Sequence, residues 1–406
     1  MNTEFFVARR LSSLKKGSFS RPIVAVSIAS VALGIAIMIV SVAILTGFQM
    51  QIREKVSGFN GHIRITRFNE NDSFEPTPLS SRQPFLKDIR NIQGVQHIQV
   101  FATKPGIIKT KEQIQGVMFK GAGRDFDWDF FKNKLIAGTL PSWSDTLKGA
   151  EVLISGSLAK LLSIQKGDEM RMYFVSGNVT LGRKLKVSGM YSTGLEELDK
   201  LYVVGDIRQI IKLNGWKEDE VGGFEVFLND FNDVERIGQE IYRMIGFDLD
   251  ATTILQQYPQ IFDWLSLQDV NVMIILSLMV VVSAITMIAT LLILIIERTA
   301  TIGILKALGM KNRSIRKIFL YNSLKIIGYG LLWGNLTGLT LCLIQQKTGM
   351  VTLPEESYYV SVAPIYFDWI NILLINAGCM IITFSMLLVP SYIITRINPV
   401  SAIRFN

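Results

Sequence analysis

Four long runs without a charged side chain constrain this chain more than anything else in it. Pro22 to Ile52, Val270 to Ile296, Ile326 to Gln346 and Trp369 to Thr395 contain no Asp, Glu, Lys or Arg. A bilayer core of about 30 Å needs about 20 apolar residues at about 1.5 Å rise each, and every run is long enough. Four such runs are hard to bury in one soluble protein. Composition agrees: 19% of the residues are charged, against about 25% in an ordinary soluble domain. The apolar and aromatic content excludes a disordered chain. Two cysteines in 406 residues exclude a disulfide scaffold. The first run is too long for a cleaved signal h-region and ends in Thr46-Gly47-Phe48 rather than an A-x-A site, so it is expected to be a retained anchor.

Flanking charges set the expected orientation, because short cytoplasmic flanks collect Lys and Arg. The N-terminal flank holds Arg9, Arg10, Lys15, Lys16 and Arg21. The connection after the second run holds Arg298, Lys306, Lys311, Arg313, Arg316 and Lys317. The connection between the third and fourth runs holds Lys347 against Glu355, Glu356 and Asp368. Both termini and the second connection are therefore expected inside, and the large insertion outside. The formal net charge of +8 follows this division. Between Gln49 and Gln268 there are 27 basic and 28 acidic residues, and the rest of the chain holds 15 and 6. A basic pI of this origin gives no reason to expect nucleic acid.

The chain then divides as follows: a cytoplasmic amphipathic segment 1–21, spans 22–47, 269–296, 318–346 and 369–395, a periplasmic domain 48–268, a cytoplasmic loop 297–317, an outer loop 347–368 and a tail 396–406. Within the outer domain, Gly61 to Phe68 alternates like a strand, Gln83 to Ile92 reads as a helix and Val95 to Phe101 as a strand. The pattern recurs at Phe224 to Leu228, Asn232 to Ile245 and Asp248 to Ile254, with Asp230 or Asn232 as helix cap. Two β-α-β units, 61–101 and 222–254, predict the halves of a split ferredoxin-like domain around a β-rich insertion, 102–221. The fold class is an α-helical membrane protein with four transmembrane helices plus a large α+β extracytoplasmic domain between helices 1 and 2.

Catalytic constellations are scarce, and no catalytic or metal-binding residue is proposed. His62 and His97 lie in expected strands, where a lone histidine is structural more often than not. Cys342 and Cys379 lie inside spans and behave as small hydrophobes. Gly177-Asn-Val-Thr-Leu-Gly182-Arg183-Lys184 has the glycine spacing of a phosphate loop but lacks the G-K-[ST] ending, so a hairpin turn explains it better. None of the four charge-free runs carries an ionisable group such as an ion-coupled carrier uses. Gly330, Gly334 and Gly338 form one stripe of the third span, the pattern that lets a second helix approach closely. Ser30 and Gly34 are a weaker pair of the same kind. Residues 297–317, ERTATIGILKALGMKNRSIRK, place Ile302, Leu305, Leu308 and Gly309 at helical spacing with Lys306 on another face. That predicts a short amphipathic helix for the membrane surface or a partner's groove.

This loop resembles the E-R-x-x-E-I-G-I-L-K-A-L-G-A segment of FtsX-like permeases, the membrane subunits of MacB-type ABC transporters. Thr301 stands where the family commonly has Glu. Arg396-Ile-Asn-Pro399-Val-Ser-Ala402-Ile-Arg404 resembles the family's R-x-x-P-x-x-A-L-R ending. The N-terminal FFVARRLSS, Thr46-Gly47-Phe48-Gln49, Gly58-Phe59-Asn60-Gly61-His62-Ile63 and the run Gly149 to Gly167 look like the lipoprotein-releasing (Lol) permeases. The connection Ser176 to Arg183 is short where one Lol subunit has a long chaperone-capturing hairpin.

The resemblance implies a non-catalytic permease whose loop is the coupling helix on a separate ATPase. Glu297, Arg298, Ile302, Gly303, Leu305, Lys306, Leu308 and Gly309 are the expected coupling residues. ATP and Mg would be bound by that partner, a LolD-like dimer, with no cofactor in this chain. Further implied partners are a second permease copy or paralogue, lipoprotein cargo, a LolA-like periplasmic chaperone and membrane lipid. The implied location is the bacterial inner membrane. Ile44, Phe48, Val272, Met273 and Leu276, at the outer ends of the first two spans, are candidate cargo contacts by position, with lipid-facing as the alternative. A MacB-like efflux permease and an FtsX-like signalling permease that regulates a cell-wall hydrolase share the same architecture.

Overall fold

A computed structural model describes residues 20–68, 76–110, 113–142, 150–176, 179–354 and 358–396. The expected amphipathic segment before Ser20 and the R-x-x-P ending beyond Arg396 lie outside the described residues. The chain forms two compact units, residues 1–49, 264–352 and 362–406, and residues 50–263 and 353–361.

The first unit is helical. Its long helices are α1 (Ser20–Asn60, which from Met50 onward lies in the second unit), α2 (Pro259–Glu297, which up to Asp263 lies in the second unit), α4 (Asn312–Thr348) and α5 (Trp369–Ser391), with the short α3 (Thr299–Ala307) between α2 and α4. Each long helix is apolar and long enough to cross a membrane. Three expected boundaries change. α2 begins at Pro259 and not at 269. α1 continues past residue 47 to Asn60, because Arg53, Glu54 and Lys55 end the hydropathy signal without ending the helix. α4 begins at Asn312, so Arg313, Arg316 and Lys317 belong to its first turns and not to a 297–317 loop helix. The core joins Val31, Ile35, Met38 and Ile39 of α1 to Met287, Leu291 and Ile295 of α2, Ile302 of α3, Phe319 and Ile327 of α4 and Leu387 of α5.

The second unit holds a ten-stranded sheet. Its strands are β1 (Ile63–Arg67), β2 (Val95–Lys109), β3 (Ile114–Ala122), β4 (Leu135–Gly138), β5 (Glu151–Ser155), β6 (Glu169–Ser176), β7 (Val179–Tyr191), β8 (Tyr202–Asp206), β9 (Gly223–Leu228) and β10 (Leu249–Thr253). The order is β10-β1-β9-β2-β3-β8-β5-β7-β4, with β6 paired to β2 and β7. β10, β1, β9 and β2 run antiparallel in turn. The helix Leu86–Asn91 links β1 to β2, and Val234–Met244 links β9 to β10. That is the split β-α-β arrangement of a ferredoxin-like fold. Asp230 accepts the Asn232 N–H at 2.9 Å and so caps the short 3₁₀ turn before the second helix.

The β-rich insertion is no separate sheet. β2 is 15 residues long; its first half pairs with β9 and its second half with β3 and β6. One strand thereby carries the ferredoxin-like sheet into the insertion. Gly182, Arg183 and Lys184 pair with Tyr173, Met172 and Arg171 in a β6–β7 hairpin, as a strand and not as a phosphate loop; Gly177 and Asn178 lie outside the described residues.

Candidate functional site

α3 divides its residues between packing and surface. Ile302 is fully buried, Gly303 is buried and Leu305 packs against the helical core. Ile304 and Leu308 are exposed, Leu308 at 79%. Gly309 closes the helix at φ +83° with open space around it, a conformation that favours glycine. The expected stripe Ile302–Leu305–Leu308–Gly309 is therefore not one face. Its first half holds α3 to its own unit, and Ile304, which spacing did not single out, joins Leu308 on the free side. Lys306 is also placed differently. Its ammonium donates to the carbonyls of Ile394 at 2.8 Å and Thr395 at 3.3 Å, at the end of the chain's last described helix. A cation there matches the unpaired carbonyls and negative end of a helix. Arg316 completes this clamp, 3.4 Å from Ser391 Oγ and over the Tyr392 ring. Glu297 is the exposed last residue of α2, and Arg298 precedes α3.

The five candidate cargo positions separate as well. Phe48 makes an edge contact with Trp264, centroids 6.4 Å apart, and Leu276 packs against the core. Both are occupied within the unit. Ile44 and Val272 are half-buried, and Met273 is exposed.

The glycine stripe meets α1. A Cβ built on Gly330 would lie 2.6 Å from Val31 Cγ1, and one on Gly334 2.6 Å from Ile35 Cβ. On Gly338 it would lie 3.1 Å from Ala36 Cα. Another side of α1 meets α2 through small polar residues. Ser27 bonds Thr290, and Ser30 donates to Thr286 at 3.2 Å. Gly34 faces Ser283. Between α4 and α5, Asn335 and Asn376 exchange amide hydrogen bonds of 2.6 and 3.0 Å.

Among the described residues, no three of His, Cys, Asp and Glu gather as a metal site requires. His62 Nδ1 accepts the Leu228 N–H at 3.2 Å, and its ring lies near Phe227 and Phe231. Burial lowers its pKa to about 4. His97 Nε2 bonds the Asp125 carbonyl at 2.8 Å.

One cluster escaped the sequence reading. Arg64 on β1, Glu225 on β9 and Gln99 on β2 stand directly opposite one another across three strands, so their side chains share a face. Glu225 accepts from Arg64 at 3.0 Å, from Gln99 at 3.0 Å, and from Lys120 of β3 at 2.8 and 3.0 Å. Lys120 and Glu225 are fully buried. Lys120 also donates to the Phe59 carbonyl. Arg64 donates to Asn60 Oδ1 at 2.9 Å, and Asn60 Nδ2 to Tyr258 Oη at 2.7 Å. Burial would raise the Glu225 carboxyl, but Lys120 and Arg64 outweigh it and hold it below the usual range. Lys120 is pulled down to about 8 by burial, since Glu225 is shared with the repelling Arg64. A charge between apolar neighbours on both sides, as in Gly-Phe-Glu225-Val-Phe and Met-Phe-Lys120-Gly-Ala, was the available signal, because such a strand is covered on both faces.

This network explains the Gly58 to Ile63 stretch. A Cβ on Gly58 would lie 2.3 Å from Phe130 Cδ2. Phe59 packs among Phe131, Tyr191 and Tyr202. Gly61, at φ +72°, donates to the Ser57 carbonyl at 2.7 Å and ends α1. Ile63 is fully buried.

Known proteins match both parts of the chain. Residues 24–243 match the MacB-like periplasmic core domain family, and residues 273–399 the FtsX-like permease C-terminal family. The lipoprotein-releasing system transmembrane protein LolC of Xylella fastidiosa (strain 9a5c) is 22% identical, over 98% of this chain and 97% of its own. LolC of Neisseria meningitidis serogroup B (strain ATCC BAA-335 / MC58) is 23% identical over 98% of each. The lipoprotein-releasing system transmembrane protein LolE of Haemophilus influenzae (strain ATCC 51907 / DSM 11121 / KW20 / Rd) is 22% identical over 98% of each.

Proposed function

We propose, for a chain that belongs to the MacB-like periplasmic core domain family and carries an FtsX-like permease C-terminal region, that it is the permease subunit of an ABC transporter that releases lipoproteins. A separate ATPase would drive their mechanical release from the outer leaflet of a bacterial inner membrane toward a periplasmic chaperone. The observation that carries this reading is end-to-end similarity. Relatives named for lipoprotein release match over 97% or more of both chains, spans and α+β unit alike.

In this reading both termini and α3 are cytoplasmic and the α+β unit is periplasmic, as the Lys and Arg distribution favours. A LolD-like ATPase dimer binds ATP and Mg and docks against Ile304, Leu308 and Gly309. Ile302 and Leu305 are then the grip by which α3 carries motion into its own core, and Lys306 passes it to the end of the last helix. Of the candidate cargo positions, Met273 is the most available, with Ile44 and Val272 beside it in class. A second permease copy or paralogue completes the lipid-facing chamber, and a LolA-like chaperone receives the product.

The test reconstitutes the chain with its ATPase and second permease in liposomes that carry a triacylated lipoprotein. ATP-dependent transfer of the lipoprotein to a soluble chaperone is the expected result. ATP hydrolysis that neither responds to lipoprotein nor releases it would overturn the proposal and favour a signalling permease.

A further inference from the structure

The buried network of Arg64, Lys120 and Glu225 needs a reason beyond stability. Two charges taken fully out of water lose hydration that their mutual attraction barely recovers, and apolar side chains of similar volume often hold a core equally well. The row could have been filled with apolar side chains, as its neighbours Phe59, Phe101 and Phe126 are. What apolar side chains cannot provide is a directed donor, and the donors here aim at one place. Lys120 reaches the Phe59 carbonyl, one of the last four carbonyls of α1, which have no partner within the helix. Arg64 reaches the side chain of Asn60, the last residue of α1. Asn60 in turn holds Tyr258, the residue before α2 begins at Pro259. Gly61 leaves room for the arrangement, since a Cβ there would lie 3.0 Å from Glu225 Cβ.

We infer that Arg64, Lys120 and Glu225 are positioning residues, a joint that holds the end of α1 and the lead into α2 in one register on the central strands β1, β9 and β3. The inference rests on the permease reading above, in which α1 and α2 are also spans. ATP-driven movement of those helices reaches the sheet through this joint as a directed displacement. Without the ionic bonds the helix ends stay packed by Phe59 but turn and slide.

The test uses the full chain in its complex with ATPase and second permease, in nanodiscs. Spin labels on Val281→Cys and Tyr242→Cys, both exposed, report the distance between α2 and the α+β unit with and without ATP; the native Cys342 and Cys379 are buried. Glu225→Gln keeps the size of the side chain and removes its charge. The expected result is a loss of at least about half the ATP-driven distance change, and lipoprotein release about tenfold lower, with ATP hydrolysis within about twofold of the parent. A folded Glu225→Gln complex with the parent's distance change overturns the inference. The second variant, Arg64→Met with Lys120→Met and Glu225→Leu, replaces the network by apolar volume and carries the test if the single variant fails to fold. A parental melting temperature with the distance change still lost supports a positioning role. A parental melt with the distance change restored shows the network to be structural only and overturns the inference. Lipoprotein release by the parent complex tests the transport reading separately, because the distance change can be measured whether or not release occurs.

Discussion

The glycine stripe of α4 allows a graded prediction. A Cβ on Gly334 would lie 2.6 Å from Ile35 Cβ and 2.7 Å from the Ala32 carbonyl oxygen, and one on Gly330 2.6 and 2.7 Å from Val31 side-chain atoms. Carbon contacts are comfortable from about 3.5 Å, so Gly334→Ala forces α1 and α4 apart by about 1 Å. At Gly338 the nearest atoms stand 3.1 and 3.3 Å away, and a few tenths of an ångström suffice. Gly328, on the same helix, has nothing within 4 Å of its built Cβ. Overpacking of this kind costs about 1–3 kcal/mol, and exchanging glycine for alanine in a helix returns about 1 kcal/mol. Gly334→Ala and Gly330→Ala are thus expected to lose up to about 2 kcal/mol, Gly338→Ala to stay near zero and Gly328→Ala to gain up to about 1 kcal/mol. Gly334 faces a backbone atom as well as a side chain, so it should be the least forgiving. The assay is unfolding of the purified chain in one detergent, followed by circular dichroism, with all four variants measured side by side. Equal shifts at positions 328 and 334 would refute the reasoning, since both share helix propensity and differ only in what faces them.

Three other outcomes follow from the geometry. Asn335→Leu or Asn376→Leu alone should cost about 1–2 kcal/mol by leaving the other amide's oxygen without its donor, and the double variant less than the sum, in a double-mutant cycle in detergent. His62 stays neutral in the folded chain down to about pH 4, against an ordinary 6.5, while the unfolded chain takes up a proton. Stability is therefore full above that ordinary value and falls as the pH drops toward the lower one. His62→Asn keeps an acceptor for the Leu228 N–H and should flatten this slope, worth about 1–3 kcal/mol, in denaturant unfolding compared at about pH 7 and pH 4.5. Leu308→Asp should abolish copurification of the ATPase. Lys306→Met should leave it intact and speed hydrogen exchange at Ile393 to Arg396, whereas equal loss in both would return Lys306 to the ATPase interface.

How much of this was legible in the sequence depends on where each constraint originates. A bilayer imposes composition over whole segments, so the spans and their charged flanks can be read directly. Alternation marks β1 and β10, and an Asp cap marks the turn before the helix Val234–Met244. Strand order is not encoded locally, however, and nothing in Val95 to Lys109 says that its two halves take different neighbours. The helix Ile207–Asn214 was legible but missed: Asp206 caps it, Ile207, Ile210 and Ile211 stand at helical spacing, and Gly215 ends it at φ +64°. For functional positions the loss is greater. Ile302 and Leu308 were read as one stripe, yet six residues turn a helix to about 120° short of two full circles and Leu308 is already the cap of a nine-residue helix, so one points inward and the other outward. α1 makes the point most fully. Its nearly uniform apolar sequence reads as a lipid-facing anchor, while Val31, Ile35 and Ile39 are wholly buried. One side takes the α4 glycines, another the Ser and Thr of α2, and its last residues end in a buried charge network. A helix constrained along so much of its length cannot move alone.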